Sequence, residues 1–97
     1  ACLGSRFHKG TRVTLSRVKQ VQRLESLLRL MGMNQFRARW HKVEGKSMVR
    51  IELGKDDFAK MGDEVVRKAV VDLAKAEGFH WVTLDLIPYG SNQGSMT

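Results

Sequence analysis

Two short runs, "QFRARWH" over 35–41 and "SMVRIEL" over 47–53, alternate apolar and polar residues on either side of a turn around Gly45. Successive side chains of a strand point to opposite faces, so such alternation specifies two half-buried strands. Paired as a hairpin, they place Phe36, Ala38 and Trp40 with Val49, Ile51 and Leu53 on a core face. Arg37, Arg39 and His41 then share the opposite face with Arg50 and Glu52, and any fold for this chain must accommodate that split.

The flanking segments follow the other period. Leu15, Val18, Val21, Leu24, Leu28 and Met31 recur at spacings of three and four, one face of a helix over roughly 14–31, with Thr14 as N-cap and Gly32 as stop. Asp56 or Asp57 can cap a short helical turn through Phe58 and Met61, interrupted at Gly62. Asp63 caps a second helix that turns Val66, Ala69, Val70 and Leu73 inward and ends at Gly78. A final strand, "FHWVTLDLI", alternates Val82, Leu84 and Leu86 with Thr83 and Asp85 until Pro88 stops it. The first ten residues read as a loop, and "PYGSNQGSMT" as a polar tail.

The predicted order is helix, strand, strand, helix, strand: an α+β fold with a small antiparallel or mixed three-stranded sheet and two helices on one face. It looks like a ferredoxin-type unit lacking its first strand. The arginine-bearing face is left to water or to another domain.

Ninety-seven residues make one domain with a modest core. Nothing in the sequence resembles a signal peptide and no apolar run approaches the roughly 18 residues that span a bilayer, so the cytosol is the expected compartment. Net charge is +7, and it is uneven: residues 1–50 hold twelve Lys and Arg against Glu25 and Glu44, and the remainder holds five against eight acids. The basic half suits an anionic partner such as phosphate, nucleotide or nucleic acid.

Arg37 and Arg39, at i and i+2 on one strand, project side by side, and their forks can hold phosphate or carboxylate. As exposed strand charges they would equally guard a sheet against aggregation. A nucleic-acid platform is disfavoured because Phe36 and Trp40 point away from the arginines, and the RNP signature of RNA-binding sheets is absent. The single cysteine, Cys2, can form no internal disulfide or zinc site; near Arg6, His8 and Lys9 its thiolate is favoured, although it can also be a bland small residue.

Glu25, Glu52 and Asp56 can supply carboxylates to a divalent ion. Each also has a plainer role: Glu25 paired with Arg29, Glu52 paired across the hairpin, Asp56 as a cap. His8, His41 and His80 show no ligand spacing, and no Gly-rich phosphate loop is present.

Taken together, "ACLGSRF", "GTRVTLSRV", "RARWH", "RIEL", "GFHWVTLDL" and the terminal "GSM" resemble the C-terminal domain of the ATP-dependent sacrificial sulfur transferases. These are LarE-type enzymes of the PP-loop, or adenine nucleotide alpha hydrolase, superfamily that help build a nickel-pincer cofactor. The resemblance implies that Cys2 is the sulfur donor and is consumed to dehydroalanine, with Ser5 and Arg6 shaping its loop over 1–13. It implies that Arg37 and Arg39 hold the phosphate of a nucleotide-like anionic substrate, and that Glu25, Glu52 and Asp56 line a metal-associated part of the site. ATP and magnesium would belong to an N-terminal PP-loop domain, which is absent here, so the isolated chain is not expected to turn over. The full-length protein would be a homo-oligomer.

Two features depart from that pattern: the "KVEGKS" turn is longer than the family suggests, and "LIPYGSNQGSM" is looser than its usual ending. One cysteine excludes the variant that carries three and an iron–sulfur cluster. The rival readings are a basic nucleic-acid-binding α+β module and a structural or oligomerisation domain.

Overall fold

The computed structural model describes residues 6, 7 and 10–90. Helix α1 spans Leu15–Leu30, strands β1 and β2 span Phe36–Val43 and Lys46–Leu53, α2 spans Lys55–Lys60, α3 spans Glu64–Ala76 and β3 spans Trp81–Leu84. Among these residues no helix is long and apolar enough to cross a membrane.

Thr14 begins α1 as expected: its hydroxyl accepts the Arg17 N–H at 3.2 Å, satisfying one of the free donors of the first turn. Asp63 does the same for α3, accepting from the Val65 N–H at 2.8 Å. The stripe of α1 buries Val21, Leu24 and Leu28 completely, whereas Leu15, in the first turn, stays exposed. From α3, Val70 and Ala74 enter the core.

The hairpin register follows the alternation. Phe36 pairs with Leu53, Ala38 with Ile51 and Trp40 with Val49, all buried beneath α1 and α3. Arg37 pairs with Glu52, and Arg39 with Arg50, on the other face. The connection is tight: Val43 pairs with Lys46, so the turn consists of Glu44 and Gly45, at φ 51° and 77°. A two-residue turn with both φ values positive matches the twist of the strands and favours Asn-Gly. Glu44→Asn is therefore expected to raise stability by roughly 0.5–1 kcal/mol, read as a higher urea midpoint at unchanged slope.

β3 lies parallel to β2, with Val82 beside Val49 and Leu84 beside Ile51, which makes a mixed sheet of order β1-β2-β3. A ferredoxin-type order would leave the place between β2 and β3 to a further strand; here the two bond directly, which pairs backbone groups that would otherwise be orphaned. β3 also ends two residues before Leu86. The Asp85 carboxylate accepts the Ile87 N–H at 2.9 Å, a local bond that turns the chain, and Leu86 and Ile87 emerge into solvent.

The loop before α1 contributes more than its sequence suggests. Phe7 is only 5% exposed and forms a bridge with Trp40 along the outer edge of β1, their rings 6.1 Å apart. The Trp40 indole N–H reaches Gln20 at 2.8 Å, and the Arg17 guanidinium covers the ring at 4.2 Å.

Candidate anion-binding face

On the sheet face away from the helices, Glu52 sits amid Arg37, Arg39 and Arg50 and is only 7% exposed. The contacts are unequal. Arg37 donates through Nε to Glu52 Oε1 at 2.6 Å, and its guanidinium lies 5.0 Å from the Tyr89 ring. Arg39 Nη1 stands 3.8 Å from Oε2, and Arg50 Nη2 3.5 Å from the same oxygen. Asp85 approaches Arg50 Nε at 3.9 Å. Among the described residues, three guanidiniums against two carboxylates leave one positive charge in excess.

Arg39 feels its burial first and its charged neighbours second. Burial and then the neighbouring Arg50 cation lower its pKa, and Glu52 offsets only part of the effect. The Nε atoms of Arg39 and Arg50 are buried without a hydrogen-bond partner among the described residues. The alternation thus assembles a face whose donors outnumber its acceptors, and such a face has capacity for an anion.

The acidic residues behave differently from the expectation of a shared metal site. Glu25 Oε2 accepts the Arg6 Nε–H at 3.1 Å and the Ala38 N–H at 2.9 Å, so it ties the N-terminal loop to the edge of β1. Arg29, its expected helical partner, lies 5.1 Å over the Phe36 ring. Glu52 is committed to the arginines on the far face, and Asp56 is exposed on α2. Glu25, Glu52 and Asp56 therefore occupy separate surroundings, and among the described residues no group of three or more His, Cys, Asp or Glu could hold a metal ion.

The partly exposed Arg6 is fixed by Glu25, with side chains 13% and 12% exposed. Cys2 and Ser5 lie outside the described residues. Asp57, the other residue offered as a cap, is the one that matters in α2: it is 1% exposed and accepts from the Asn34 and Gln35 N–H groups at 2.7 and 2.8 Å and from Lys60 at 2.9 Å. Arg50, expected on this face though not among the phosphate-binding residues, is part of it, and Asp85 joins it unanticipated. The Gly45 turn carried the signal for Arg50, since a two-residue turn sets Arg39 opposite it.

A separate concavity of about 500 Å³, lined by Lys19, Gln22, Arg23, Ser26, Leu27 and Glu77, lies against the helical layer. The Arg23–Glu77 ion pair at 2.7 Å bridges it, and it shares no residue with the arginine face.

The chain matches no protein-family profile. Over 92 residues, 95% of its length, it is 35% identical to a protein of Synechocystis sp. named uncharacterized protein slr1717. The chain spans about a third of that relative's length.

Proposed function

We propose that this chain is the substrate-binding, sulfur-donating domain of an ATP-dependent sacrificial sulfur transferase acting in the cytosol. One observation supports the reading: Glu25 joins Arg6, four positions after Cys2 in sequence, to the Ala38 N–H, which lies between Arg37 and Arg39 on β1. Cys2 precedes Arg6 by four positions, so at most about 14 Å of extended chain separates the thiol's residue from this anchor. A nucleotide whose phosphate rests on the arginines would have its reactive end within reach of that segment.

In this reading a partner PP-loop domain binds ATP and magnesium and adenylates the substrate carboxylate. The length of the Synechocystis relative leaves room for such a domain. The Cys2 thiolate attacks the activated carbonyl; a C–S bond forms and AMP leaves. A base then removes the Cys2 Cα proton, the Cβ–S bond breaks with its electron pair going to sulfur, and the products are a thiocarboxylate and dehydroalanine at position 2. The cations of the basic half favour the thiolate and the anionic substrate alike.

Intact mass spectrometry tests the reading, after incubation with ATP, a carboxylated pyridinium mononucleotide and a PP-loop nucleotide-binding domain. The expected result is a mass deficit of one hydrogen sulfide localised to Cys2, and none in Cys2→Ser. An unmodified Cys2 in a preparation that makes thiocarboxylate would overturn the proposal.

A further inference from the structure

Arg39 and Arg50 face one another directly across the β1–β2 hairpin. Like charges in that position repel unless something of opposite sign lies between them. Glu52 supplies one negative charge for three guanidiniums: Oε1 accepts from Arg37 at 2.6 Å, and Oε2 accepts from Arg50 at 3.5 Å and lies 3.8 Å from Arg39. Asp85, at 3.9 Å, adds charge without a hydrogen bond. Each guanidinium carries five donors in a planar fork, so the pair holds many more donors than the described residues around it offer acceptors. A carboxylate ligand would span one fork. A phosphate monoester brings three acceptor oxygens and about two negative charges at neutral pH, enough to engage both forks and cancel the excess.

We infer that Arg39 and Arg50, on adjacent strands, form the seat of a phosphate monoester, while Arg37 serves as the clamp that holds Glu52 in place. This deepens the proposed function by reassigning which arginines hold the nucleotide's phosphate and adding Arg50 to them. It rests on that reading for the identity of the ligand, but its test requires no sulfur transfer. Arg37 is a positioning residue here: engaged by Glu52 and laid along Tyr89, it fixes the carboxylate whose second oxygen spaces the other two guanidiniums.

The test is a titration of the isotopically labelled chain with ribose 5-phosphate at fixed ionic strength, observing the arginine Nε–Hε resonances. Saturating shifts at Arg39 and Arg50 are expected, exceeding those at Arg23, whose side chain is 64% exposed on the helical layer. Arg50→Gln should weaken binding at least tenfold, whereas Arg23→Gln, with the same loss of charge, should change it less than twofold. Arg50→Lys keeps the charge and loses the fork; it should weaken binding at least threefold, and it serves if Arg50→Gln does not fold. Equal weakening by Arg50→Gln and Arg23→Gln, or shifts spread evenly over the arginines, would show a diffuse basic surface and defeat the inference. A positive titration beside a failed sulfur-transfer experiment would retain the phosphate seat and discard the transferase; the reverse would discard only the seat.

Discussion

Asp57→Ala is expected to lower stability by roughly 3–5 kcal/mol, among the largest losses any single change in this chain should cause. The carboxylate is 1% exposed and is the acceptor for two consecutive backbone amides, Asn34 and Gln35, and for the Lys60 ammonium. Truncation leaves those donors without their partner where water has little access, at the point where the chain leaves α1 and enters β1. Lys60 also donates to the Gly32 carbonyl at 2.8 Å, so the same change loosens the end of α1.

The loss has a pH signature. Burial acts to raise the Asp57 pKa, but the Gln35 amide, Lys60 and the Asn34 amide outweigh it, and the folded-state pKa lies below the usual value of 3.8. A depressed carboxylate pKa contributes stability that is fully present above the unfolded value and is lost as pH falls through the folded one. The urea midpoint of the wild type should therefore fall progressively below about pH 4 to 5, and Asp57→Asn should show a flatter dependence there. Identical pH profiles for the two proteins would remove Asp57 as the cause, and a loss below about 1 kcal/mol in Asp57→Ala would remove it as a keystone of the turn.

The elements that sequence reading locates well are those fixed by local periodicity. Thr14 and the spacing of Val21, Leu24 and Leu28 define α1, and the alternation through Arg37, Arg39, Arg50 and Glu52 defines the hairpin and its two faces. What it misses depends on distant partners. Phe7 sits in a stretch without period and is buried in the core cluster, bridged to Trp40 at the edge of β1. Asp56 and Asp57 are chemically alike and adjacent; the fold alone decides which one meets the Asn34 and Gln35 amides. Glu25 passes over Arg29 for Arg6 and the Ala38 N–H, because an edge-strand donor on the buried Ala38 needs an acceptor more than an exposed helix pair needs its salt bridge. The expected strand through Leu86 fails for a local reason, the Asp85 carboxylate capturing the Ile87 N–H.

Glu52→Ala should cost about 3–5 kcal/mol at low ionic strength, lowering the melting temperature by some 15–30 °C. Among the described residues, the substitution removes the one carboxylate that touches Arg37, Arg39 and Arg50, and leaves three partly buried guanidiniums with only Asp85 nearby. Because the damage is repulsion among cations, dissolved anions should repair it. Sodium chloride acts by screening, over a Debye length of about 10 Å at 0.1 M. Phosphate that binds between Arg39 and Arg50 would add stabilisation by mass action, close to 2.7 kcal/mol when its concentration is a hundred times its dissociation constant. At matched ionic strength, phosphate should therefore raise the melting temperature of Glu52→Ala well above the value in chloride, and above its effect on the wild type, where Glu52 competes for the same donors. If the two salts restore the variant equally, the arginines are repelling charges without a seat between them. If Glu52→Ala melts near the wild type in low salt, the three guanidiniums do not depend on that carboxylate, and the electrostatic account of this face fails with them.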